Sequence, residues 1–296
     1  MTNIYDHLDL DALGIDKTKF RDKGQKSISL GIDLEDKACA FLQEKFIEEG
    51  NRSYFAKQFA QAISGDGNEL LKMDAAKSSS LCSLLFFYNL ADEDGRRLTI
   101  EGITYTRSYF EYKNKVYRNP SNMDVVLTNS SGDILFVECK FSEYFEYDSP
   151  TISATYFTDE RSADLMGYLV EQGILRKGKK DAYTAYYGGE RIYATGLKQI
   201  VAHYVGIEHF LKGDYPKEQY GDDRDFLKDI PNKKVRFIEV LFDLGEELKN
   251  YRKASDALIA HISKPDQFLK STTYQVILRE NANYKLDEMV KKYYRY

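Results

Sequence analysis

The sequence has no tryptophan and little cysteine: Cys39, Cys82 and Cys139 are the three thiols in 296 residues. Three widely spaced cysteines build neither a disulfide framework nor a zinc knuckle, so a reducing cytoplasm is the expected compartment. No run approaches the roughly 18 apolar residues that cross a bilayer, and no membrane partner is expected. The opening Met-Thr-Asn-Ile-Tyr-Asp is acidic and lacks the apolar centre of a secretory signal, so export by that route is not expected. An excess of positive charge is also missing. With 42 basic and 47 acidic residues the net charge is −5, which argues against a protein that coats nucleic acid non-specifically. It leaves room for a local basic groove beside an acidic metal site.

What is there is an ordinary globular balance, with 43 % hydrophobic and 30 % charged residues, 24 Tyr and 17 Phe. That apolar stock can bury a sizeable core, which excludes global disorder. Dividing the length by roughly 150 residues gives about two domains or one larger α/β body.

The first 66 residues read as a polar, mostly helical extension, with Ala38, Phe41, Leu42 and Phe46 at helical spacing between Asp33 and Glu48. Ser64 to Gly67 breaks the chain, and a second helix is expected from Glu69 to about Leu90 on Leu70, Leu71, Met73, Leu81, Leu84 and Leu85. Asp92 to Gly95 reads as a turn. Three strands are then expected: Ile103–Tyr112, Met123–Thr128 and Ile134–Phe141, the last two joined by the turn Asn129–Asp133. They suggest an antiparallel meander. The stretch 142–191 gives no clear pattern. Beyond it, a helix over Gly196–Leu211, a strand over Val235–Leu241, a helix over Glu246–Ile262, a strand over Thr272–Leu278 and a terminal helix over Asn283–Tyr296 are expected. The reading divides the chain into an extension (1–66), a core (67–245) and a C-terminal helix-strand-helix packed on that core (246–296).

Side chains alternate across a strand, so Ile134, Phe136, Glu138 and Lys140 share one face and Leu135, Val137, Cys139 and Phe141 the other. A strand apolar on both faces is central to its sheet, and charges there need partners or a task. A tight turn centred near residue 131 sets Asp124 opposite Glu138. Two neighbouring carboxylates repel and favour a cation between them. Oxygen ligands with retained waters suit Mg²⁺, with Mn²⁺ as a substitute, and such an ion activates water and neutralises phosphate charge. Lys140 is placed to hold water or stabilise the charged phosphate. The alternative is a plain ion pair, in which Lys140 only neutralises Glu138. In the first case removing Lys140 costs little stability; in the second it costs about 3–5 kcal/mol.

The stretch Asn122-Met-Asp-Val-Val-Leu followed by Ile134-Leu-Phe-Val-Glu-Cys-Lys-Phe-Ser142 resembles the PD-(D/E)XK nuclease superfamily, in an uncharacterised bacterial branch. Asp124 matches the first acid, Glu138 the second and Lys140 the lysine. Met123 stands where the motif is usually written with proline. The resemblance implies an α/β (α+β) restriction-endonuclease-like core, an α-β-β-β-α-β mixed sheet flanked by helices, with extra helices at both ends. It implies a cytoplasmic, Mg²⁺-dependent nuclease hydrolysing phosphodiesters, with DNA as partner and a homodimer allowed. RNA as substrate and a catalytically silent nucleic-acid-binding protein are the alternatives. It further implies that Glu69 joins Asp124 and Glu138 at the metal and that Gln199 faces the site. Arg176, Lys177, Lys179 and Lys180, beside Tyr183, Tyr186 and Tyr187, are candidate nucleic-acid contacts, as are Lys113, Lys115 and Arg118. Cys139 reads as core, His203 as the polar flank of a packed helix, and His7, His209 and His261 as surface residues.

Overall fold

A computed structural model describes residues 4–13, 38–56, 73–90, 95–116, 120–142, 151–158, 160, 162–178, 182–187, 190–191, 196–215, 226–262 and 266–296. The fold is mixed α/β. Its elements are α1 (Ala38–Phe46), α2 (Ser79–Phe87), β1 (Leu98–Ile100), β2 (Ile103–Tyr105), β3 (Arg107–Asn114), β4 (Ser121–Thr128) and β5 (Asp133–Lys140). They continue with β6 (Thr151–Ser153), α3 (Ala163–Glu171), β7 (Leu175–Lys177), β8 (Ala182–Tyr187), β9 (Glu190–Arg191), α4 (Gly196–Leu211) and β10 (Lys234–Leu241). The chain closes with α5 (Glu246–His261), β11 (Thr272–Thr273), α6 (Tyr274–Glu280) and α7 (Glu288–Tyr293). Among the described residues no helix is long and apolar enough to cross a membrane.

The main sheet has five strands in the order β11-β10-β5-β4-β3. Neighbours β3, β4 and β5 run antiparallel, as expected of a meander. The β4–β5 turn closes on Gly132, whose φ of 84° lies in the left-handed region. β10 runs parallel to β5, which needs a crossover. The crossover carries α3, a small sheet of β6, β8 and β7 with β9 on β8, and then α4.

Two apolar layers sandwich the sheet. On one face Val125, Leu127, Leu135, Val137, Cys139 and Phe141 pack with α2 and the C-terminal segment. On the other, Val126, Ile134, Phe136 and Phe237 pack under α4 and α5. Phe210 of α4 seats that helix edge-on against Phe136, centroids 5.3 Å apart, and against Tyr112 at 5.9 Å. The expected face assignment of β5 and its central position both hold.

Several boundaries differ from the sequence reading. The single helix expected from Glu69 to about Leu90 is interrupted: residues 69–72 lie outside the described ones, Met73 is helical, and after the break at 74–78 a helix begins at Ser79, capped by Ser78, which accepts the Leu81 N–H at 3.1 Å. The strand expected over Ile103–Tyr112 is two strands parted at Thr106, preceded by β1. Thr272–Leu278 is a strand for two residues only. Thr273 then caps α6 by accepting the Val276 N–H, and Tyr274, Ile277 and Leu278 lie buried at helical spacing. The terminal helix is confined to Glu288–Tyr293, because Tyr284 and Leu286 enter the core from a non-helical segment. α3, unread in the sequence, buries Leu165, Met166 and Leu169.

Candidate active site

Glu138 and Lys140 lie near the C-terminal end of β5, past Ile134 and Phe136 on the same face. Both are buried, Glu138 to 1 % and Lys140 to 4 % exposure. The charged end of the strand is thus inside the fold, with Lys140 paired to Glu138. Lys140 Nζ donates to Glu138 Oε1, and His203 Nε2 lies 2.7 Å from Oε2. Burial disfavours the Glu138 charge, but the Lys140 and His203 interactions outweigh it and hold the carboxyl down at about 2. The site therefore contains a buried carboxylate whose charge is held by two partners.

Asp124 approaches the main chain of the same stretch from β4. The ladder between β4 and β5 pairs Val126 with Phe136 and ends at Val125–Val137, the register that sets 124 opposite 138. Beyond that pair the Asp124 carboxylate replaces a main-chain acceptor: Oδ2 accepts the Cys139 N–H at 2.7 Å. Asp124 is thus fastened to the peptide between Glu138 and Lys140. On its other side, Glu111 of β3 would pair with Asp124 but takes a left-handed φ of 56°. This local break shifts the face alternation by one residue, since Tyr109 and Val126 before it, and Tyr112 and Met123 after it, line the same apolar layer.

The shift carries Ser121 onto the Glu138 face, where its Oγ lies 2.6 Å from His203 Nδ1. His203, read as a packed flank, thus bridges Ser121 and Glu138 from α4, and its ring packs against Phe237 of β10, centroids 5.4 Å apart. A second buried acid was missed altogether. Glu239 of β10 stands in register with Glu138, is 0 % exposed, and accepts from Tyr251 Oη at 2.9 Å and from Ser255 Oγ. Burial pushes its carboxyl up, while Ser255, Lys140 and Tyr251 pull against that. Its signal was visible: Glu239 interrupts the apolar alternation of Val235, Phe237 and Leu241 as Glu138 interrupts Ile134 and Phe136. Neighbouring carboxyls of opposite tendency are a pattern found at acid–base sites.

The remaining candidates do not all converge here. Gln199 lies half-buried in the first turn of α4, one turn before His203. Glu69, Arg118, Lys179 and Lys180 lie outside the described residues. Arg176 and Lys177 are exposed on β7, and the Arg176 guanidinium sits 4.1 Å from the Tyr186 ring centre. Lys113 is half-buried on β3, and Lys115 pairs with Asp214 at 2.6 Å. His209, expected at the surface, is buried and holds the other Asp214 oxygen at 2.6 Å. Cys139 is fully buried in the opposite layer, as expected.

Among the described residues no group of three or more His, Cys, Asp or Glu side chains is placed to hold a metal ion. The candidate pair is Asp124 and Glu138. Its donor chemistry suits Mg²⁺, which takes one or two carboxylates and otherwise keeps waters or substrate phosphates. Glu138 needs no deprotonation, and each of its oxygens, engaged by one donor, retains a lone pair. Comparison with protein-family models, curated proteins and solved structures finds no match to this chain.

Proposed function

We propose that this chain is a Mg²⁺-dependent phosphodiesterase acting on DNA, built on a restriction-endonuclease-like core of the PD-(D/E)XK type. The observation that carries the reading is the convergence on one stretch of β5. Glu138 and Lys140 share a buried face, and Asp124 is bonded to the peptide N–H between them. Support also comes from element order: α2, the meander β3–β5, α4 and the parallel strand β10 follow the α-β-β-β-α-β sequence that the resemblance implies.

In this reading Asp124 and Glu138 hold Mg²⁺ or Mn²⁺. When bound, the ion activates water and offsets charge on the phosphate. Lys140 provides a cation beside the reacting group, where charge develops and solvent is scarce. The Cys139 N–H holds Asp124, and His203 holds Glu138, so neither carboxylate must reorganise when the substrate arrives. Arg176 and Lys177, with Tyr186, supply an exposed basic and aromatic surface suited to phosphate and base contact.

A second reading is favoured by one observation. Glu138 is already satisfied at both oxygens within the chain, as it would be in a silent nucleic-acid-binding protein on the same fold. Cleavage assays on duplex DNA, single-stranded DNA and RNA, with Mg²⁺ and with chelator, test both. Metal-dependent cleavage of duplex DNA that disappears in Asp124→Ala is the expected result. Binding without cleavage of any of the three under Mg²⁺ or Mn²⁺ selects the silent reading.

A further inference from the structure

We infer that His203 is a positioning residue for the proposed reaction: Ser121 orients its ring, and the ring clamps the metal-binding carboxylate of Glu138. The inference rests on the phosphodiesterase reading and adds to it a residue outside the PD-(D/E)XK motif.

The geometry is a continuous chain of contacts. Ser121 Oγ lies 2.6 Å from His203 Nδ1, and His203 Nε2 lies 2.7 Å from Glu138 Oε2. An ionised carboxylate only accepts hydrogen bonds, so the proton sits on Nε2. Ser121 Oγ bonds Nδ1 on the other edge of the ring, and the two contacts together fix the orientation of the imidazole. Without His203, Oε2 of a carboxylate that is 1 % exposed loses its donor, and among the described residues Lys140 is the donor that remains to Glu138. The carboxylate could then rotate with the flexible lysine stem.

A second, independent feature sets the helix at the distance the clamp needs. Gly206 lies one turn after His203 on α4. A Cβ built there would stand 2.8 Å from Cβ of Asn114 and 3.6 Å from Cγ2 of Val116. Asn114 is the ladder partner of Ser121. The glycine therefore lets α4 approach β3 beside the strand pair that presents Ser121, which brings the imidazole within reach of both partners. Phe237 packs on the ring and restrains it further.

The experiment uses the full chain with four variants: His203→Ala, His203→Gln, Ser121→Ala and Gly206→Ala. Mn²⁺ affinity is measured by calorimetry with the metal alone, kcat and KM on duplex DNA are separated, and melting is followed for each variant. Partners that orient a metal ligand are typically worth ten- to a hundred-fold in affinity or activity. His203→Ala is expected to weaken Mn²⁺ binding and lower kcat by that factor with KM unchanged. His203→Gln, whose amide N–H can still donate to Oε2, should recover most of both. Ser121→Ala and Gly206→Ala should move both in the direction of His203→Ala by smaller factors. Nitrogen-15 spectra of the wild type should show His203 Nε2 protonated and hydrogen-bonded. Wild-type metal affinity and kcat in His203→Ala overturn the inference and leave the phosphodiesterase reading standing. So do losses that follow melting and are not restored by glutamine. A wild type that neither binds Mn²⁺ nor cleaves any nucleic acid overturns the phosphodiesterase reading, and the inference falls with it.

Discussion

A charge in the middle of a sheet survives only if its neighbours replace the water it gave up. Glu138 meets that condition with Lys140 on one oxygen and His203 on the other, and this changes what a lysine variant measures. Lys140→Met should lower any cleavage rate by about a hundred- to a thousand-fold, or 3–4 kcal/mol, because a positioned cation is lost. It should also cost about 3–5 kcal/mol of folding free energy, because a buried carboxylate loses a partner. The two effects separate in Glu138→Gln/Lys140→Met, since removing both members of a buried pair can be close to neutral. Urea unfolding should show stability largely recovered in the double variant, with cleavage still absent. Stability that stays low in the double variant would mean that Lys140 supports the fold through contacts other than Glu138.

Among the elements, two short helices depend on a single hydroxyl each. Ser78 caps α2 and Thr273 caps α6. Ser78→Ala and Thr273→Ala should each cost about 1 kcal/mol, read as a drop in unfolding midpoint at unchanged denaturant slope. A changed slope would instead indicate that the compactness of one of the states had moved. The same caps explain two misread boundaries. Thr, Val and Ile after Ser271 suggest a strand by residue type, yet the burial of Tyr274, Ile277 and Leu278 follows helical spacing. The Thr273 hydroxyl closes that helix at its start.

For the whole molecule, two buried acids pull stability against pH in opposite directions. Glu138 is held at about 2, below the roughly 4.3 of an unfolded glutamate. Its stabilisation is complete above that value and is lost as pH falls toward 2. Asp287 ties the two ends of the chain together, accepting from Tyr88 Oη, from the Asn51 amide at 3.0 Å and from the Glu48 N–H at 3.2 Å. Burial pushes its carboxyl up to about 6, against the Glu48 and Asn51 hydrogen bonds, well above the roughly 3.9 of an unfolded aspartate. Its contribution is present at acid pH and lost as pH rises through 6. Unfolding free energies at pH 7, 5 and 3 should therefore lose their pH 7-to-5 rise in Asp287→Asn and part of their acid fall in Glu138→Gln. Unaltered profiles would assign the pH dependence to other groups. Under the proposed function, a net charge of −5 requires any DNA affinity to rest on a local patch. Arg176→Ala/Lys177→Ala should reduce the slope of log affinity against log salt by about 0.9 for each phosphate contact removed. An unchanged slope shifts the contact toward Lys113.

Local pattern was enough to read the face alternation of β5, the register that opposes 124 to 138, and the spans of α4, β10 and α5. Each follows from side-chain periodicity and short turns, which are encoded by neighbours in the chain. That Asp124 of β4 comes next to the stretch of β5 carrying Glu138 and Lys140 was readable for the same reason, since one hairpin joins them. His203 lies 65 positions from Glu138 and Glu239 is set beside it by a parallel crossover. No local pattern announces such pairings. The break at Glu111, the caps at Ser78 and Thr273, and the close approach at Gly206 were equally hidden. The caps are local hydrogen bonds that compete with other local options, whereas the His203 contact joins distant parts of the chain and, with Lys140, gives the buried Glu138 carboxylate its partners.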